Sequence, residues 1–368
     1  MNSDWWEWEH DPASPCAEPS GDACDSLHRW REDIELVAQL GLGAYRFSLE
    51  WSRIEPAEGE WSRAALEHYR RICAACRGRG IQPVVTFHHF TLPRWLAAQG
   101  GWEAPHAPER FARYVQVAVR HLGDLVAVAC TVNEPNVVAL MGYVLGAFPP
   151  GVSGDLGRYR TASDALVAAH RLAATELRAG PGDFPIGLTL SMAELVAVDG
   201  GETARAEAEE LLENHFLDAL EGDDFVGVQC YTRLRFGPEG LVGGEEGVPK
   251  TQMGYEMRPE ALAHTIRRAA SRTGLPVLVT ESGVAVADDR QRIAFVARAL
   301  EGVGDCLAEG IDVRGYFVWS LLDNFEWTFG YRPTFGLCSV DRVTFERRPK
   351  PSALWFATVA RTASAPAP

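Results

Sequence analysis

Two glutamates stand in nearly matching contexts. Glu134 follows Thr131-Val132-Asn133 and precedes Pro135; Glu281 follows Val277-Leu278-Val279-Thr280 and precedes Ser282-Gly283. Each closes a short apolar run, and the Pro or Gly behind it marks where the chain leaves a strand. A single acid there commonly caps the next helix or pairs with a surface base. Two that face one pocket suit glycoside hydrolysis, in which one carboxyl is the acid and the other the nucleophile or base. Arg46, between Tyr45 and Phe47 in a segment that reads as buried, requires a carboxylate partner. Either Glu50 on its own strand face or an acid of the pocket would satisfy it.

Other reactive side chains say less by themselves. His88 and His89 are adjacent on a strand, so only one can face the pocket. No His-Glu-x-x-His or Cys/His cluster accompanies them, and no metal site is expected. Trp319-Ser-Leu-Leu-Asp-Asn-Phe-Glu-Trp327 is the densest aromatic and acidic cluster, and it too follows a strand. Aromatic faces beside carboxylates suit sugars, whose C–H faces are ringed by hydroxyls. Cys73 and Cys76 have C-x-x-C spacing but fall mid-helix, which reads as packing and not redox chemistry.

The elements that must position these residues alternate strand with helix. Strands are expected at Gly43–Glu50, Gln82–His88, Leu125–Asn133, Phe184–Ser191, Phe225–Cys230, Pro276–Glu281 and Val313–Trp319. Helices are expected at Asp25–Leu40, Arg63–Arg79, Glu109–Leu122, Ser163–Ala179, Glu202–Leu220, Pro259–Thr273, Arg290–Glu309 and Pro351–Ala363. The strands are apolar runs without alternation, the pattern of a sheet covered by helices on both sides. Repeated βα units make a parallel sheet, either open or closed as a (β/α)8 barrel. Gly41-Leu42-Gly43 precedes its strand, so no phosphate loop is indicated. Thr232–Arg258, rich in Gly and Glu, is the longest irregular stretch, and no linker divides the chain. One catalytic domain over residues 1–368 is expected.

The composition is that of an ordinary globular chain: 368 residues, 46% hydrophobic and 23% charged. Fifty acids against 35 bases give −15, which argues against nucleic acid or an anionic membrane as partner. No apolar run approaches the ~18 residues of a membrane span. The first residues carry neither a basic region nor an apolar core, so a cytoplasmic location is the default expectation.

Seven segments taken together closely resemble the family 1 glycoside hydrolases, the β-glucosidase family. They are Tyr45-Arg-Phe-Ser-Leu-Glu-Trp-Ser-Arg-Ile54, Thr86-Phe-His-His-Phe-Thr-Leu-Pro93, Thr131-Val-Asn-Glu-Pro135, Met253-Gly-Tyr-Glu-Met257, Val279-Thr-Glu-Ser-Gly283, the Trp319–Trp327 cluster and Phe335-Gly-Leu337. The match is colinear from Asn2 to Phe356. It implies a (β/α)8 barrel with catalytic glutamates after the fourth and seventh strands. Glu134 then corresponds to the acid/base and Glu281 to the nucleophile of a retaining β-glycosidase that acts by double displacement. Asn133 would bond the sugar 2-hydroxyl, and Arg46 and Tyr231 would hold the nucleophile. His89, Trp319, Glu326 and Trp327 would line the glycone subsite. The substrate expected is a small β-glucoside or related β-linked sugar or oligosaccharide, with no metal or cofactor. Arg46 should depress the pKa of Glu281, while Glu134 keeps its proton. The two carboxyl groups should stand about 5–5.5 Å apart.

Four departures from the family pattern stand out. Ser282 replaces the usual Asn after the nucleophile, Phe90 the usual Trp after the pocket His, and Gln229 the usual Asn two before the pocket Tyr. The fourth is that only seven strands are counted, which match the family's second to eighth. The family's first strand, with a Gln that bonds the sugar 3- and 4-hydroxyls, lies ahead of this sequence. A barrel with seven of eight strands loses ~6 ladder bonds and part of its core, against the 5–15 kcal/mol stability typical of a domain. The expectation is therefore that Met1 is internal to a longer protein, or that Trp5–Glu9 closes the gap. The competing expectation is an inactive or sugar-binding remnant.

Overall fold

The computed structural model describes residues 2–362. Seven strands form one parallel sheet: β1 (Ala44–Ser48), β2 (Gln82–His88), β3 (Val128–Asn133), β4 (Ile186–Ser191), β5 (Phe225–Cys230), β6 (Val277–Ser282) and β7 (Val313–Val318). Each pairs with the next in chain order, so the sheet curls into a barrel wall. The helices lie outside: α1 (Asp4–His10), α2 (Ser26–Gln39), α3 (Arg63–Arg77), α4 (Ala107–Leu122), α5 (Pro135–Tyr143), α6 (Leu156–Ala179), α7 (Ala261–Thr273), α8 (Asp289–Ala308) and α9 (Pro351–Thr362). Among the described residues no helix is long and apolar enough to cross a membrane.

The apolar runs behave as both-face-buried strands should. Val85 and Phe87 pack outward into the helix layer, while Val84, Cys130, Phe225 and Leu278 meet inside the barrel near its floor. These two sets bury the strands on both sides, which favours parallel strands at these positions. The stretch expected as one helix over Glu202–Leu220 is α-helical only to Glu209 and continues through a wider turn at Glu210–Asn214. The long loop Thr232–Arg258 contains two strands, Arg233–Gly237 and Gly240–Val242, which join Glu194–Ala197 in a small separate sheet.

The ring is not closed. Strands β7 and β1 are the two ends of the sheet, and among the described residues no ladder joins them. Between them lies a cavity of about 970 Å³, lined by Tyr45 and Phe47 on one side and Phe317 on the other. Val37 of α2 and Phe356 and Val359 of α9 cover it from outside. Seven strands leave an opening where an eighth would complete the barrel.

Trp5–Glu9 does not fill that opening, contrary to the second expectation above. The segment is helical, because the Ser3 hydroxyl accepts the Trp6 N–H at 3.2 Å and caps α1. The Asp4 carboxylate accepts the backbone N–H groups of Trp5 (2.7 Å) and Leu92 (2.8 Å), which pins α1 to the loop after β2. Trp5 is buried edge-on against Phe148 and Trp327, with ring centroids 5.0 and 4.5 Å away.

Candidate active site

Both glutamates reach the barrel interior from strand ends. Glu281 is the fifth residue of β6, and Glu134 is the first residue after β3. Glu134 takes a left-handed backbone conformation (φ +45°) at the start of α5 and makes no side-chain cap bond. That conformation is costly for a residue with a Cβ, and the helix-cap reading of Glu134 is overturned. Phe90 (φ +70°) and Trp327 (φ +50°) adopt the same region, and both lie in the aromatic cluster over the strand ends. Gly283, just after β6, allows a close approach that any larger residue would block: a Cβ there would sit 2.0 Å from the Trp319 carbonyl oxygen.

The polar network is dense. Arg46 Nη1 donates to Glu281 Oε1 at 2.6 Å, and Nη2 donates to Asn133 Oδ1 at 2.5 Å. Glu281, not Glu50, is therefore the partner of Arg46; Glu50 instead accepts Thr91 Oγ1 and the Ser52 N–H. Tyr231 donates its hydroxyl to Glu281 Oε2. Gln229 Nε2 donates to Asn133 Oδ1 at 2.8 Å and to Glu281 Oε1 at 2.9 Å. Thr189 Oγ1 donates to Asn133 Oδ1 at 3.2 Å.

His89 lies 3.4 Å from Asn133 Nδ2, with its ring near-parallel to those of Trp319 and Trp327. His88 points the other way, edge-on to Trp102 and Phe111 in the helix layer. The opposed faces of the two histidines are as expected. One carboxylate oxygen of Glu326 is buried and has no hydrogen-bond partner among the described residues. Among the described residues no group of three or more His, Cys, Asp or Glu is placed to hold a metal ion.

Burial dominates the electrostatics. Desolvation, reinforced by the nearby charge of Glu281, pushes Glu134 well above the ordinary carboxylate range. Glu281 is also raised by burial, against the opposing pull of Arg46 and Tyr231. The expectation that Arg46 would bring it below its ordinary value is overturned, because the desolvation of a fully enclosed carboxylate outweighs one ion pair. Glu326 is pushed up to about 8, first by burial and then by the charge of Glu281. His89 is held well below its usual value by burial and by Arg46, which keeps the imidazole neutral. Cys73 and Cys76 are buried in α3, their thiols pushed up to about 12 and about 11, so neither is a reactive thiolate.

The model of glycosyl hydrolase family 1 matches residues 2–228 and 237–365. The chain belongs to that family. The crystal structure of a β-glycosidase is 47% identical and superposes with a TM-score of 0.92, over all of this chain and 94% of the other. The thermostable β-glucosidase B of Thermobispora bispora is 34% identical over 97% of this chain and 85% of its own length. A β-glucosidase from Thermotoga maritima in complex with glucoimidazole is 30% identical, with a TM-score of 0.92 over 98% of this chain and 92% of the other. Family 1 membership makes this chain a glycoside hydrolase on a (β/α) barrel.

Three residues of the site, Gln229, Thr189 and Ser191, were not among the expected site residues. Gln229 is visible in the sequence only as a departure from the family pattern. The Ser191 hydroxyl, at the end of β4, favours the ionised form of Glu134. A Ser at a strand end carries no spacing signal that would single it out.

Proposed function

We propose that this protein is a retaining β-glycosidase that hydrolyses β-glucosides or related β-linked sugars, with residues 1–368 as one catalytic domain and the cytoplasm as its compartment. The observation that carries the reading is the unequal environment of two buried glutamates. Burial raises both, but Glu281 is gripped by three donor groups, Arg46, Gln229 and Tyr231, of which Arg46 and Tyr231 oppose the rise, whereas Glu134 is raised well above its usual range. Separated environments of this kind assign one carboxylate and one carboxylic acid.

In the first step a Glu281 oxygen attacks the anomeric carbon as the bond to the leaving oxygen breaks. Glu134 gives its proton to that oxygen, and the sugar is left as an ester of Glu281. In the second step Glu134, now a carboxylate, takes a proton from water whose oxygen attacks the same carbon and releases Glu281. Two inversions retain the β-configuration. In this reading Asn133 bonds the sugar 2-hydroxyl, and His89, Trp319, Glu326 and Trp327 line the rest of the glycone subsite. The proton balance closes with these two carboxyl groups and water.

The test is a panel of nitrophenyl β-glycosides with the product followed by NMR. Turnover with the β-anomer formed first supports the reading; an α-anomer formed first would sink it. The remnant reading draws no support from the β-glucosidase relatives.

A further inference from the structure

Gln229 lies in the stretch 229–236, which the family model leaves unmatched. Its side chain is fully buried on β5. The amide nitrogen divides its two protons between Asn133 Oδ1 (2.8 Å) and Glu281 Oε1 (2.9 Å). Arg46 donates to the same two oxygens. Two donor groups and two acceptors thus form a closed square across the barrel interior. Among the described residues the Gln229 carbonyl oxygen has no hydrogen-bond partner, although it is buried. An orphaned buried acceptor is a cost that folds rarely retain. Turning the amide over would not remove that cost without aiming its oxygen at two other acceptors, one of them a carboxylate.

The consequence falls on Asn133. With Arg46, Gln229 and Thr189 all directed at its Oδ1, its amide cannot flip, and Nδ2 is fixed on the side of His89. We propose that Gln229 is a positioning residue that acts through Asn133: it locks that amide with its N–H groups toward the sugar 2-hydroxyl while it steadies the nucleophile oxygen. The inference rests on the proposed function above and deepens it. A hydrogen bond to the 2-hydroxyl strengthens as the transition state forms, so an Asn133 free to turn would lose rate and not merely affinity.

The test compares a nitrophenyl β-glucoside with its 2-deoxy analogue, which has no hydroxyl for Asn133 to meet. Gln229→Met keeps the volume and removes both donors. It should lower kcat/KM for the glucoside about 100-fold and for the 2-deoxy substrate about 10-fold, so that their ratio falls about tenfold, mostly through kcat. In an Asn133→Ala background the same substitution should leave the ratio unchanged. Gln229→Glu keeps both size and polarity and guards against a folding defect in Gln229→Met. It sets a second carboxyl against Glu281 and should move the acid limb of the kcat/KM profile to higher pH. Equal losses on both substrates together with an unmoved acid limb, in an active wild-type background, overturn this inference alone. A wild type without β-glycosidase activity overturns both it and the reading beneath it.

Discussion

The wall from β3 to β6 and the opening between β7 and β1 are built from the same kinds of residue and behave differently. In the wall, β3, β4, β5 and β6 are paired in turn, with register shifts just before Asn133 and just before Gln229, and the interior side chains of Asn133, Thr189, Gln229 and Glu281 bond one another. At the opening, two strand edges face about 970 Å³ of largely apolar space. Both glutamates stand on the continuous arc. The two carboxyl groups therefore stand on four adjacent paired strands, while Arg46, His89, Trp319 and Trp327 line the cavity at the opening and tie it to the site. Arg46 joins the two regions, since it sits on the edge strand β1 and bonds residues of β3 and β6.

The comparison breaks most visibly if Glu281 is dispensable. Glu281→Ala should lower turnover by ~10⁴-fold or more, and added azide should restore it as the α-glycosyl azide seen by NMR. Glu134→Ala should cost ~10²–10⁴-fold on substrates with poor leaving groups and little on activated ones. Its azide product should be the β-anomer; the same anomer from both variants would erase the division of roles.

A stability pair sharpens the contrast. Phe87 is fully buried on β2, a strand paired on both edges beside the wall, and Phe87→Ala should cost about 3–5 kcal/mol in urea unfolding. Phe317 already borders empty space, so Phe317→Ala should cost about half as much or less. Equal losses would mean that the opening is as tightly packed as the wall. The smallest effect is expected from Ser191→Ala. Its hydroxyl lowers the pKa of Glu134, so its removal raises that pKa and extends the basic limb of kcat/KM to higher pH. A limb that moves the other way would contradict that influence.

The barrel and its glutamates were legible in the sequence because parallel strands buried on both faces are written as uninterrupted apolar runs. The strand-end positions of Glu134 and Glu281 follow from those runs, and the count of seven strands was correct. What the sequence concealed were relations between distant segments. Trp5 became part of a helix because Leu92 and Asp4 fix it and Phe148 and Trp327 receive it, none of which local apolarity encodes. The small sheet joins Glu194–Ala197 to Arg233–Gly237 across the whole of β5. The Arg46 partner required knowing that β1 and β6 face each other across the barrel. The direction of the Glu281 shift required the extent of enclosure, which charge counting by sequence omits.

A tube slit along its length resists twisting far less than a closed one, because nothing carries shear across the slit. Here one lip of the slit is β1, and its Arg46 reaches over the hollow to the far wall with two short charge-assisted bonds. The guanidinium is thus a tie-rod as well as an electrostatic partner. It couples the free lip to the strands that hold the nucleophile, so that a torsion of the shell is felt where the carboxylate must stay still. Replacing Arg46 would remove a charge and a mechanical brace in one stroke.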